Sequence, residues 1–141
     1  MKVKEYLKQA YRLDHKIDSD IEEVRKLREM VCSISSPALT ERVQTSKLGR
    51  APFEKSVEKI MILEQKIDDE IDLLVDLKAQ IRDTIELVED PDDKMVLRYR
   101  YIHNCTWEEI GDELGVDART ARRWHGRAVA NAKLPDNPIK I

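Results

Sequence analysis

The chain has 141 residues, a net charge of −3, 38% charged and 5% aromatic residues, and few glycines or prolines. Its length fits about one domain, and this composition favours long, solvent-exposed helices over a β-sandwich or barrel. No apolar run is long enough to span a membrane, and the N-terminus, MKVKEYLKQAYRLDHK, lacks the apolar core of a secretion signal. The sequence therefore predicts an all-α protein located in the cytoplasm.

The first block of the chain, residues 1–34, is predicted to be one helix. Its apolar residues recur at steps of three and four, the spacing of one helical face, at Tyr6, Ala10, Leu13, Ile17, Ile21, Val24, Leu27 and Val31. Residues 35–53 are rich in Ser, Thr, Pro and Gly and are predicted to form a connector. Within this connector, Pro37 and Pro52 are each expected to break a helix.

The second block, residues 54–89, is predicted to be a longer helix. Its apolar residues recur every 3.5 residues or so, the coiled-coil period, at Val57, Ile60, Leu63, Ile67, Ile71, Leu74, Leu77, Ile81, Ile85 and Val88. The simplest way to bury both stripes is a long antiparallel, coiled-coil-like hairpin between the two blocks. Pairing between two chains would bury them as well, and the sequence leaves both arrangements open.

Residues 90–134 carry several helix-start signals, and residues 135–141 form a proline-containing tail. Asp90 before Pro91 is typical of a helix N-terminus, and Thr106 with Glu109 forms a capping-box pattern for a helix over 107–114. Asp117 is expected to cap a last helix running from Ala118 to Lys133.

The last two predicted helices match the pattern of a helix-turn-helix. Gly111 supplies a small residue where the helices would cross, and Gly115 can adopt the positive φ of the turn. Apolar residues lie where the pair would need to be pinned together, at Ile110, Leu114, Val116, Ala121 and Trp124. The sequence thus predicts a C-terminal helix-turn-helix domain after the hairpin.

Charge is distributed unevenly along the chain. Residues 54–93 hold 14 acids and 5 bases, a net of −9, whereas residues 118–134 hold five bases and no acid. A local basic face matters more for phosphate binding than the total charge does. The last helix is therefore predicted to bind double-stranded DNA. Arg119, Thr120 and Arg123 are the candidates for base contacts in the major groove, and Arg122, Arg127 and Lys133 are the candidates for phosphate contacts.

The sequence carries no recognisable catalytic or metal-binding pattern. It has no phosphate-binding glycine loop and no Ser/His/Asp set, and its two cysteines and three histidines are not spaced like zinc ligands. The expectation is a protein that is not an enzyme and that binds no cofactor or metal. His125 is expected either to contact phosphate or to pack against the preceding helix.

The stretch VLRYRYIHNCTWEEIGDELGVDARTARRWHGRAVANAKL resembles the C-terminal half of phage and prophage transcription regulators of the RinA and ArpU type. The C-terminal module of that family is similar to region 4 of bacterial sigma factors. The resemblance implies a DNA-binding activator of phage genes, often late genes, in a bacterial host, with the helix from Ala118 entering the major groove. It leaves open whether this chain contacts RNA polymerase.

The leading hypothesis is a sequence-specific transcription regulator, acting as a homodimer that reads two half-sites. One alternative is a phage DNA-packaging protein like a small terminase subunit, although in those proteins the DNA-binding module usually precedes the oligomerisation helices. Another is a helical interaction protein that does not bind DNA.

Overall fold

The structure, a computed structural model, describes the backbone of residues 1–34 and 50–141 and the side chains of residues 1–33 and 52–141. This described part is all-α and contains no strand, which confirms the predicted fold class. Two long helices come first and three short ones follow, with a π-helical turn among them. They are α1 (Val3–Ile34), α2 (Arg50–Glu86), α3 (Pro91–Leu97), the π turn (Arg98–Ile102), α4 (Trp107–Leu114) and α5 (Ala118–Asn131).

The second long helix spans Arg50–Glu86 instead of the predicted 54–89. Pro52 lies in its first turn, so the expectation that this proline breaks a helix was wrong. A proline is tolerated there because the amide it lacks would have no partner within the helix. The rest of the predicted connector, residues 35–49, lies outside the described residues.

The chain divides into two compact units. The middle unit is His15–Asp72, and the split unit combines Met1–Asp14 with Leu73–Ile141. The division therefore runs through both long helices, whereas the sequence suggested a boundary near residue 90. The first turns of α1 and the last turns of α2 belong with the short C-terminal helices.

In the middle unit, segments of α1 and α2 pack side by side in opposite directions. Lys16 Nζ lies 2.8 Å from Glu70 Oε1 and 2.8 Å from Asp20 Oδ2, and further along the unit Arg28 pairs with Glu64. As the residue number rises along α1, the residue number of its partner in α2 falls, as expected for two antiparallel helices. Four residues of the predicted stripes are buried in this unit, namely Ile17, Val24, Ile60 and Ile67. Ile21 and Ile71 are exceptions, at 48% and 39% exposed.

The split unit has a continuous apolar core in which α1, α2 and α5 meet. Its fully buried members include Tyr6, Leu7 and Ala10 of α1, with Leu77 and Ile81 of α2. Ala128 of α5 and Tyr101 of the π turn belong to the same cluster. Burial of this face fixes the N-terminal turns of α1 against the C-terminal helices.

The tail after α5 is held by two glutamine side chains. Gln80 accepts a hydrogen bond from the Ile139 amide at 2.9 Å and donates one to the Asn137 carbonyl at 2.8 Å. Gln9 donates to the Ile139 carbonyl at 2.8 Å and accepts from the Ile141 amide at 2.9 Å. These amide groups act as hydrogen-bond partners for a segment that has no regular secondary structure, and they connect it to both α1 and α2.

Helices α4 and α5 are joined by a tight turn whose local signals are those expected from the sequence. Thr106 and Glu109 form a reciprocal capping box at the start of α4, and the Asp117 carboxylate accepts a 2.7 Å hydrogen bond from the Thr120 amide at the start of α5. Gly115 ends α4 with a φ of 70°. A Cβ at Gly111 would lie 2.5 Å from the Val116 carbonyl oxygen, so only glycine allows the turn to pass this closely.

The two helical glycines Gly111 and Gly126 form a matched pair for testing this packing. We expect Gly111→Ala to destabilise the protein by about 1–3 kcal/mol, because the new methyl group meets the backbone of the turn. Gly126→Ala meets nothing within 4 Å and should stabilise by up to about 1 kcal/mol through helix propensity. Urea unfolding of both variants measures the difference, and equal effects would contradict the close approach at Gly111.

Candidate nucleic-acid interface

Helix α5 has one buried and one exposed face. Ala121 and Ala128 are fully buried and Trp124 is partly buried, so the apolar side of the helix faces the protein as predicted. Arg119, Arg122, Arg123 and Arg127 are exposed on the other side, and Thr120 is partly exposed. The predicted DNA-contacting side chains of this helix thus lie on one accessible face, and the helix itself contains no acidic residue.

Three of these arginines form no salt bridge with a described residue. They are Arg119, Arg122 and Arg123, whose charges are available to a ligand. The pKa of the Asp117 carboxyl at the start of the helix lies below its ordinary value, first because Thr120 hydrogen-bonds it and then because Arg119 and Arg123 are near. Asp117 therefore stays ionised and caps the helix. Its single negative charge offsets only part of the positive charge of Arg119, Arg122 and Arg123.

Arg127 makes an ion pair that the sequence did not predict. Its Nη2 and Nε atoms lie 2.6 and 2.9 Å from Oδ1 of Asp93, a carboxylate that is 1% exposed at the start of α3. Arg127 thus balances a buried charge and links α5 to α3. Removing it would leave that carboxylate unpaired, which is strongly unfavourable, so an Arg127 variant is a poor probe of phosphate contact.

Lys133, the last predicted phosphate contact, is exposed just beyond the end of α5. It lines a cavity of about 620 Å³ together with three acids, Glu89, Asp90 and Asp93. Glu89 and Asp90, which line the same cavity, reduce the positive potential near Lys133, in contrast to the face formed by Arg119, Arg122 and Arg123.

A second basic surface lies next to α5, and it was not predicted from the sequence. A groove of about 600 Å³ is bordered by Lys4, Lys8 and Arg12 of α1, Arg100 of the π turn and Arg122 of α5. No acidic residue is among those that line it. The signal that could have revealed it is the spacing of Lys4, Lys8 and Arg12, because residues four apart share one face of a helix.

The floor of this groove consists of aromatic side chains that contact one another and Arg100. The Trp107 ring packs edge-on against His125 with centroids 4.9 Å apart, and the Arg100 guanidinium lies 4.2 Å from the Trp107 centroid. The Tyr101 hydroxyl and His125 Nε2 are 2.5 Å apart. The π turn places Tyr101 inward and the neighbouring Arg100 at the groove. His125 therefore packs against the preceding elements, one of the two roles expected for it.

The surroundings of His125 keep its imidazole neutral. Burial lowers its pKa from 6.5 to about 4, and the positive charges of Lys4, Arg100 and Lys8 act in the same direction. The groove floor thus carries no titrating charge near neutral pH, and the cations at its border set the potential.

The low pKa of His125 predicts acid sensitivity. The unfolded chain takes up this proton near pH 6.5 and the folded chain only near pH 4, so the free energy of unfolding should fall by about 2–3 kcal/mol between pH 7 and 4.5 from this group. Urea unfolding of wild type and His125→Gln at both pH values measures it. The variant should lack this part of the loss, and an identical pH dependence in both proteins would contradict the assignment.

The described residues contain no helix long and apolar enough to cross a membrane. They also contain no group of three or more His, Cys, Asp or Glu side chains arranged to hold a metal ion.

The fold and this surface define an all-helical protein whose C-terminal helix presents a basic face. The chain belongs to the family described as "Protein of unknown function (DUF722)", which matches residues 12–133. No curated protein and no solved structure matches the chain.

Proposed function

We propose that this protein is a sequence-specific regulator of transcription that binds double-stranded DNA through α5. In this proposal α4 and α5 act as a helix-turn-helix, and α5 lies in the major groove. Arg119, Thr120 and Arg123 contact base edges, and Arg122 contacts phosphate. The observation that carries the proposal is the exposed face of α5, on which Arg119, Arg122 and Arg123 form no salt bridge with a described residue.

The packing of the helix pair supports this orientation. Contact at Gly111 and burial of Ala121 place Arg119 and Arg123 on the outer side of the helix. These two residues are four apart and lie in the first turns of α5, the part of a recognition helix that reaches base edges. A guanidinium there can donate two hydrogen bonds to guanine.

The biological setting of the proposal comes from the sequence. Resemblance to regulators of the RinA and ArpU type suggests phage or prophage genes, in particular late genes, in a bacterial host. The same resemblance, together with the position of the proposed DNA-binding helices after the two long helices, favours regulation over DNA packaging.

We also propose that the protein binds DNA as a homodimer with two half-sites. Light scattering during gel filtration would then give twice the 16.5 kDa of one chain. A ring of eight or more subunits would instead favour the packaging function and would contradict the dimer.

Arg123→Ala tests the base contact. After selection of a preferred site from random DNA, we expect this variant to lose about 5- to 150-fold in affinity for that site, the value of one bidentate arginine–guanine contact. Its affinity for random duplex should fall much less. Electrophoretic mobility shifts at stated salt measure both.

A matched control is Lys59→Ala, which removes one exposed positive charge from the middle unit. It should leave both affinities close to wild type. If Arg123→Ala and Arg119→Ala each reduce the affinity for preferred and for random DNA by the same factor, α5 is not the helix that contacts the bases.

A further inference from the structure

We propose that the groove between α1, the π turn and α5 is a second DNA-binding surface, which holds the phosphate backbone beside the major groove that α5 enters. This inference rests on the proposed function and extends it. It makes the N-terminal turns of α1 a part of the DNA-binding unit.

The first argument is charge complementarity. The groove border carries five cationic side chains from three elements, Lys4, Lys8, Arg12, Arg100 and Arg122, and its lining includes no carboxylate. Lys4, Lys8 and Arg12 also form no salt bridge with a described residue. Five adjacent positive charges repel one another, and a polyanion would relieve that repulsion.

The second argument is position relative to α5. Arg122 and Gly126 line the groove from one flank of that helix, and Arg122 lies only about 60° around the helix from Arg119. A duplex contacted by Arg119 and Arg123 therefore continues past this flank. Phosphate contacts on the flanks of a recognition helix fix its register on the duplex.

The third argument is length. From Lys4 to Arg12 the axis of α1 rises about 12 Å, and successive phosphates of one strand are about 3.4 Å apart along the duplex axis. Where α1 runs along the duplex, the stripe thus spans about four phosphates of one strand, enough to give each of its three cations a partner. Long lysine and arginine side chains can adapt to their positions without base contact.

The groove floor suits a phosphate backbone better than a free nucleotide. The Trp107 ring is covered by Arg100 and contacted by His125, and the Tyr101 hydroxyl is taken by His125. The charged side chains at the border are donors only. Arg100 thus occupies one face of Trp107, and the lining includes no carboxylate or side-chain amide that could accept a hydrogen bond from the amino group of a base.

The test uses the full chain and a labelled 30-base-pair duplex of random sequence, with affinity measured across a range of salt. In the triple variant Lys4→Gln, Lys8→Gln and Arg12→Gln we expect the slope of log affinity against log salt to become shallower by about 2–3. Affinity at 0.1 M salt should fall by about 10- to 100-fold. The loss should be similar on random and preferred DNA, because phosphate contacts carry no sequence information.

The matched control is the triple variant Lys55→Gln, Lys59→Gln and Lys66→Gln, which removes the same charge from exposed positions of the middle unit. It should leave the slope nearly unchanged. An equal effect of both triple variants would show a non-specific response to net charge and would overturn the inference.

Gly126 offers a second and independent test at the α5 side of the groove. A Cβ there meets nothing within 4 Å, so Gly126→Glu and Gly126→Gln should both fold. The carboxylate should weaken DNA binding by about tenfold relative to the amide. Equal affinities would overturn the inference.

Two other outcomes are distinguishable. If the wild type fails to bind any duplex at low salt, the proposed function itself fails. If the wild type binds DNA normally while the α1 triple variant loses only binding of ATP, measured by tryptophan fluorescence, the groove is a nucleotide site and the backbone assignment is wrong.

Discussion

The close approach of Gly111 in α4 to the turn before α5 is the contact on which the exposed basic face of α5 depends. Because residue 111 has no side chain, the Val116 carbonyl can sit where a Cβ would otherwise be. Ala121, a small residue, is then fully buried against α4, in the same cluster as Ile110. With its apolar side fixed inward, α5 has one orientation left, and Arg119, Arg122 and Arg123 are exposed to solvent. The contacts of Gly111 and Ala121, which are uncharged, thus determine the orientation of the charged face of α5.

Local signals in the sequence predicted the short helices well, and long-range contacts explain what the sequence could not reveal. The capping box at Thr106 and the turn at Gly115 depend on residues a few positions apart, so their pattern is visible in one dimension. The pair between Asp93 and Arg127 joins residues 34 apart, and nothing distinguishes Asp93 from the acids next to it. Its burial follows only from the packing of α3 on α5.

The basic groove is a second feature that could not be predicted from the sequence. Lys4, Lys8 and Arg12 share a helix face in the sequence, but one stripe of lysine and arginine is usually a solvated surface. Its significance appears only when α1 is packed against the π turn and α5, which brings Arg100 and Arg122 to the same place. The predicted division into a hairpin and a separate C-terminal domain concealed this, because it assigned the two ends of the chain to different domains.

The composition of the split unit has a consequence for biosynthesis. Met1–Asp14 leaves the ribosome before the residues it packs against, which begin at Leu73 and extend to the tail held by Gln9 and Gln80. The apolar face of Tyr6, Leu7 and Ala10 must therefore remain without its native partners until the residues from Leu73 onward have been synthesised. Closing such a long loop carries an entropic penalty, so this unit completes its folding only after residues 73–141 have been synthesised.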